Sequence, residues 1–341
     1  MSHSPWLTLI VPGGSAALAA SADMASERAT QLAKIAGRGA LGREYDRRDR
    51  QYAALRPWQR GLLAALGLSG NRYASAPVCA RDYGESRPGS FWMHLEPVHF
   101  VAGLDRLNLL PLTATARLTH EERESLRTVI AVHLREWNLQ LHTLTDGSWL
   151  VRAEQAMDIV TTCPEAAASS ELDSALPSGK DAGSLRRLMT EMQMLLHDHP
   201  VNQRRTRTGL PVVNALWPWG SGIEAGNDSA HLGSSHLPVA CGDLPYLRGI
   251  YRENQSLIRP AARDCAGLLE SVANAARVIA VVEVEEQSVL EDNWVAPLVR
   301  ALAAGRLARL DLVLDDWHLD ASRSALRRFW RKALPPSRWA A

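Results

Sequence analysis

The chain lacks an excess of charge of either sign. Its 38 Lys and Arg stand against 37 Asp and Glu, a formal net charge of +1 over 341 residues. That excludes the basic field that draws a protein non-specifically to nucleic acid. Cysteine is scarce as well. Cys79, Cys163, Cys241 and Cys265 lie far apart and form no Cys-x-x-Cys pair. This argues against a zinc ribbon or a dithiol redox motif and fits a reducing compartment. Long apolar runs are missing: none approaches the roughly 18 residues that a membrane span needs. The apolar start, Trp6 to Val11, is cut short by Pro12-Gly13-Gly14 and has no positively charged leader, so it does not read as a signal peptide. These absences predict a cytoplasmic protein with no nucleic acid and no membrane among its partners. Phenylalanine is nearly absent, three residues against eleven Trp. No basic aromatic stripe accompanies the tryptophans, so no RNA-stacking platform is inferred.

What is present has the balance of an ordinary globular protein, with 46% hydrophobic and 22% charged residues. Its length suits one large α/β domain with an insert, or two domains. Leu7 to Val11, Leu237 to Cys241, Arg277 to Val284 and Leu310 to Leu314 read as short buried strands separated by Ala/Leu-rich helical stretches. That alternation predicts an α/β fold with a mainly parallel, doubly wound sheet. A strand that ends in glycines and leads into a helix, as at Pro12-Gly13-Gly14-Ser15, can form an anion-binding nest of free backbone N–H groups. Residues 71–90 and 164–183 read as linkers, rich in Gly, Ser, Pro and Ala. Between them, Thr119-His120-Glu121-Glu122 is a capping box opening a helix. Leu139 to Thr143 and Trp149 to Arg152 alternate in polarity about Asp146-Gly147, a hairpin signal. An α+β unit at 90–165 is therefore expected, inserted into an α/β domain made of 1–85 and 170–341. The end, Arg323 to Lys332, reads as a basic amphipathic helix with Leu326, Phe329 and Trp330.

The most informative stretch runs from Met189 to Gly222. Leu185, Leu188, Met189, Met192, Leu195 and Leu196 form one apolar stripe at helical spacing, with Ser184 as N-cap and Pro200 as the stop. A basic turn with Asn202, Arg204, Arg205 and Arg207 follows. The apolar run Val212 to Trp217 then suits a strand buried on both faces of a parallel sheet. Pro218-Trp219-Gly220-Ser221-Gly222 would be the loop beyond it, where α/β folds bind ligands. A purely structural turn is the competing reading.

In spacing, His199-Pro200-Val201-Asn202, Arg205, Gly209-Leu210-Pro211, Asn214 and Trp217 to Gly222 resemble the archaeal-type cofactor-independent phosphoglycerate mutases of the alkaline-phosphatase superfamily. Glu96 to Phe100 with Asp105-Arg106-Leu107, and Glu191 to His197, further resemble a bacterial offshoot known as phosphoglycerate mutase-like or RpfE-type regulatory proteins. The resemblance implies an alkaline-phosphatase-like sheet with a small inserted domain. It implies a ligand site made of Asn202, Arg205, Asn214, Trp217, Trp219, Gly220 and Gly222, for a small phosphorylated ligand unless the partner is a protein. The mutases use a serine nucleophile and two divalent metals held by Asp and His at strand ends. Here Pro12-Gly13 stands where the family has Asp-Gly after the first strand, no serine matches the nucleophile, and no catalytic residue is assigned. The acids nearest in kind are Asp243, Glu283, Glu285, Asp315 and Asp316, with His318, all at or beyond strand ends. Asp243, Glu283, Asp315 and His318 are the candidate ligands if Mn, Mg or Zn is bound; solvated acids and a helix cap are the alternative. His197 and His199, and His231 and His236, read as structural or loop residues. The expectation is a catalytically degenerate mutase-like protein, regulatory in role and without a cofactor. The rival is a metal-dependent phosphomutase or phosphohydrolase with a rearranged metal site.

Overall fold

The computed structural model describes residues 4–19, 30–43, 54–84, 87–103, 107–112, 116–224 and 237–339. Among them run twelve strands: β1 (Trp6–Val11), β2 (Ala40–Arg43), β3 (Phe91–Ala102), β4 (Leu107–Pro111), β5 (Leu139–Thr143), β6 (Trp149–Ala153), β7 (Ala215–Ile223), β8 (Val239–Cys241), β9 (Ile258–Arg259), β10 (Arg277–Val281), β11 (Arg309–Leu314) and β12 (Trp317–Ser322). They belong to two units. One is built from residues 1–46, 57–68 and 232–341, the other from 47–56 and 69–231.

The first unit holds a seven-stranded sheet in the order β2-β12-β11-β1-β10-β8-β9. From β11 to β9 every neighbouring pair is parallel; β12 and β2 add an antiparallel edge. β1 is central, with Ile10 opposite both Val281 and Val313, and Leu7, Leu9, Ile10 and Val11 are wholly buried. Its side chains alternate between two covered faces. Leu7, Leu9 and Val11 join a core with Leu32 and Ile35 of the helix Gln31–Arg38 and with Leu298 and Leu302 of the helix Ala296–Ala303. On the other face the helix Pro57–Leu66 lies so close that a Cβ on Gly61 would stand 2.4 Å from Val313 Cγ1. Two covered faces explain why these strands read as continuous apolar runs.

The second unit holds a five-stranded antiparallel sheet organised on β3. β3 pairs β6 through Phe91–His94, β4 through Val98–Ala102, and β7 along Phe91–Val98. The hairpin β5–β6 and the capping box of Thr119 and Glu122 form as their sequences predict. Helices His120–Glu136 and Ala182–His197 pack Leu126, Ile130, Leu134, Leu185, Leu188 and Met192 against Phe91, Met93, Leu95 and Leu216. Among the described residues no helix is long and apolar enough to cross a membrane.

Several expectations are corrected here. β7 is not a strand of the parallel sheet, and Pro218 to Gly222 lie within it rather than in a loop beyond it. Its apolar run arises because this antiparallel sheet is also covered on both faces: Ala215 and Trp217 join a second cluster with Ala167 and Leu172. The unit therefore extends over 69–231 rather than 90–165, since pairing with β3 draws β7 and the helices before it into the same body. The helix Ala182–His197 stops before Pro200 as expected, but it starts after Asp181 rather than at Ser184, and Pro200 opens a further helix. His199 accepts from Val201 N as N-cap of the helix Pro200–Arg207, where a turn was expected. The linker at 71–90 contains the helix Ser75–Tyr83. Only Arg323–Leu326 is helical in the basic stretch near the end.

Gly220 has φ +62°, and a Cβ there would stand 2.8 Å from Ser75 Cβ; Gly209 has φ +71° and open space around it. Gly220→Ala should therefore lower the unfolding free energy by about 2–4 kcal/mol, overlap adding to backbone strain. Gly209→Ala should cost only about 1 kcal/mol. Urea unfolding of both variants checks the difference; equal losses would refute the close packing of β7 on the helix Ser75–Tyr83.

Candidate functional site

In the first unit the level register of β1, β8, β10 and β11 brings their carboxyl ends to one edge, the place where α/β sheets take ligands. Gly13 to Ser15, Glu283, Asp243, Asp315 and Asp316 all follow those ends directly. The nest expected after β1 forms, and the protein itself fills it. Asp315 Oδ1 accepts from Gly13 N at 2.9 Å; Oδ2 accepts from Ser15 N at 2.9 Å and from Ser15 Oγ at 2.6 Å. Asp315 sits in the two-residue turn from β11 to β12 with φ +53°, a conformation Asp tolerates better than most residues. The turn's other residue, Asp316, pairs with the buried Arg60 at 2.8 Å.

The remaining candidate ligands do not converge with Asp315. Asp243 is exposed and accepts from Ala261 N at 3.2 Å. Glu283 and Glu285 are exposed beyond β10. His318 lies within β12, opposite Val313 and Gly42. Among the described residues no group of three or more His, Cys, Asp and Glu is placed to hold a metal ion. The donor set thus does not fit the two-metal centre that the resemblance implies, because its best carboxylate is committed to the nest. His231 and His236 lie outside the described residues.

In the second unit the residues expected to grip a ligand are turned inward. Asn202 donates to Leu196 O and Val213 O, both at 2.7 Å, and accepts from Val213 N at 2.8 Å. Arg205 is 1% exposed and donates to Pro211 O, Ala116 O and Glu122 Oε2. Asn214 exchanges two hydrogen bonds with the backbone of Phe100. Trp217 is buried and donates to Thr162 O. Gly220 and Gly222 make room for Ser75 and Ala74. The pattern of Asn, Arg, Trp and Gly is a set of backbone clamps that fixes the chain from Leu196 to Ile223.

One buried polar group here went unread in the sequence. His94 Nε2 lies 2.9 Å from Ser75 Oγ, with both side chains buried. The His94 ring stacks on Trp219, centroids 4.1 Å apart, and the Arg56 guanidinium lies 4.7 Å from the Trp219 ring centroid. Arg56 in turn pairs with Glu165 at 2.6 Å and with Glu96. A histidine inside the apolar run Phe91 to Leu95 was the available signal; Arg56 and Ser75 had none. Ser–His is the pairing of an activated nucleophile, yet this imidazole is unsuited to the role. Burial, with the Arg56 charge adding to it, pushes His94 down to about 3, too weak a base to take a proton near neutrality. The pair pins the helix Ser75–Tyr83 to β3.

Two measurements follow from these contacts. Asp315→Asn should lower stability by about 1–3 kcal/mol, since an oxygen that accepts twice from Ser15 becomes an amide donor; Ser15→Ala should cost about 1 kcal/mol. For His94 the folded state resists protonation that the unfolded chain accepts below its ordinary value of 6.5. Stability should therefore be unaffected by this group above about pH 6.5 and fall below it, by about 2 kcal/mol at pH 5. Urea midpoints at pH 7 and pH 5 for the natural chain and His94→Gln test this; an equal pH dependence in both would refute it.

Comparison with known proteins gives a distant likeness. No family model matches the chain. Over 65 residues it is 40% identical to the 2,3-bisphosphoglycerate-independent phosphoglycerate mutase of Methanothrix thermoacetophila; the match spans 19% of this chain and 17% of that protein, well short of its whole length. Two solved structures are similar at 14% identity. One is a cofactor-independent phosphoglycerate mutase from Thermoplasma acidophilum, with a TM-score of 0.39 over 93% of this chain and 90% of that one. The other is the PH0037 protein from Pyrococcus horikoshii, with a TM-score of 0.43 over 94% and 88%. The chain is thus distantly similar in structure, and over part of its sequence, to cofactor-independent phosphoglycerate mutases.

Proposed function

We propose that this chain is a phosphoglycerate mutase-like protein, alkaline-phosphatase-like in fold, that acts by binding rather than by phosphoryl transfer, with a regulatory role in the cytoplasm. Its ligand would be a small phosphorylated molecule of the kind the mutases handle, or a protein partner. The observation that carries the reading is the carboxylate of Asp315 seated on Gly13 N and Ser15 N. At the end of the first strand, where the resembling family would offer a metal-binding carboxylate, this chain offers backbone donors and satisfies them with a side chain of its own. Two-metal phosphoryl transfer needs carboxylates free to hold the metal ions that stabilise the attacking and leaving oxygens. Asp315 is hydrogen-bonded to the nest and Asp316 to Arg60.

The test compares binding with turnover. The purified protein is incubated with Mn²⁺, Zn²⁺ or Mg²⁺, desalted, and assayed for bound metal and for interconversion of 3- and 2-phosphoglycerate. Sub-stoichiometric metal and no turnover are expected, together with a rise in thermal unfolding temperature on adding 3-phosphoglycerate. A ligand at about a hundredfold its Kd stabilises the native state by about 2.7 kcal/mol. Stoichiometric metal that disappears in Asp315→Ala or His318→Ala, accompanied by turnover, would instead establish a metal-dependent phosphomutase or phosphohydrolase.

A further inference from the structure

The segment from Ala321 to Trp339 contains six cations, Arg323, Arg327, Arg328, Arg331, Lys332 and Arg338, and no acid. In a chain of net charge +1 this is a marked local asymmetry. Its fold is equally unusual. The segment is fixed at both ends and bare in the middle. Ala325 is buried at one end, and at the other Trp339 is buried against Trp317, ring centroids 5.6 Å apart. Leu334 N donates to Ala33 O at 2.8 Å. The backbone of Lys332 lies on Gly37 so closely that a Cβ there would meet its carbonyl at 2.0 Å.

Between these anchors the chain turns through Arg328 N to Ala325 O and Arg331 N to Arg328 O. It holds Phe329 and Trp330 out, 77% and 69% exposed, as an edge-to-face pair 5.4 Å apart. Arg323, Arg327, Arg331 and Lys332 flank them in the chain, and all four are exposed. Among the described residues Arg327, Arg331 and Lys332 form no ion pair. Two acids of the same unit are committed elsewhere, Asp320 to Arg309 and Glu291 to the backbone N–H groups of Gln31 and Leu32.

We infer that this turn is a docking surface for an anionic lipid membrane, with Phe329 and Trp330 inserted at the headgroup level and the surrounding cations on the lipid phosphates. Charge selects an anionic partner. The aromatic pair selects one with an apolar layer beneath its charge, since ring bodies bury while the indole N–H stays at the polar boundary. Size selects a surface over a protein: two side chains fall far short of the roughly 800 Å² per partner that a stable protein interface needs, whereas a bilayer requires no matching shape. A second copy of the chain is disfavoured because a twofold contact would set the six cations against their own images. The sequence-based expectation of no membrane partner rested on the length of apolar runs, which detects spanning segments and passes over a surface wedge. The inference is independent of the reading proposed for the carboxyl edge.

The experiment is co-sedimentation of the full chain with vesicles of phosphatidylcholine alone and of phosphatidylcholine mixed with phosphatidylglycerol. Binding to the anionic vesicles at low salt, weakening as salt rises, and little binding to the neutral ones are expected. Phe329→Ser with Trp330→Ser should cut the partition coefficient about tenfold or more. Arg327→Gln, Arg331→Gln and Lys332→Gln together should cut it by about a hundredfold. Both variants should retain the thermal unfolding temperature of the natural chain, because the altered side chains lie at the surface. Lack of sedimentation with anionic vesicles at low salt would overturn the inference. So would unchanged binding by the aromatic variant, or capture of an acidic protein through this turn without any vesicle binding.

Discussion

A central parallel strand that turns directly into a helix leaves backbone N–H groups with no partner in the sheet, and they must be satisfied. Here the partner is the carboxylate of Asp315. That choice governs the whole carboxyl edge. It ties the end of β1 to the turn between β11 and β12, neighbours in the sheet but about 300 residues apart in the chain. It fixes Asp315 in a left-handed conformation and places Asp316 against Arg60 of the helix on the opposite face from the main core. At this point of the edge the strand-end amides are satisfied by the protein's own carboxylate.

How much of this could be read from the sequence depended on the range of the interactions. Local signals were read correctly: the capping box at Thr119, the hairpin about Asp146-Gly147, the helix carrying Leu185 to Leu196, and the strands Leu7 to Val11 and Leu310 to Leu314. Each is set by residues within a turn or two of one another. The strand at Ala215 was located but assigned to the wrong sheet. An unbroken apolar run reports burial on both faces, and a parallel sheet is only the commoner way to achieve that. Nothing local says that β7 pairs with β3.

The site was legible in its parts and not in its connections. The glycine-rich end of β1 was recognised as a nest, and Asp315 as a carboxylate near a strand end. That one fills the other follows from β1 and β11 being neighbours, which no spacing encodes. The same holds for Asn202, Arg205 and Asn214. Each has the hydrogen-bonding capacity to hold a phosphate or a carboxylate, and each uses it on carbonyl and amide groups of its own unit. Polar residue type fixes what a side chain can bond; only the fold decides whether the partner is a ligand or the backbone.

The twelve-residue span of β3 has a consequence for the order in which the protein is made. Three strands read their register from it, and the last, β7, lies about 120 residues further along the chain. While a ribosome is still producing the intervening segment, β6 and β4 can occupy one side of β3, but its other edge has no complement. That edge presents unpaired amides beside Phe91, Met93 and Leu95, an arrangement prone to capture by foreign strands. The nascent chain therefore passes through an interval in which its longest strand is half-dressed. Efficient folding in a cell depends on that interval being short, or on a chaperone covering the open edge until Ile223 has emerged.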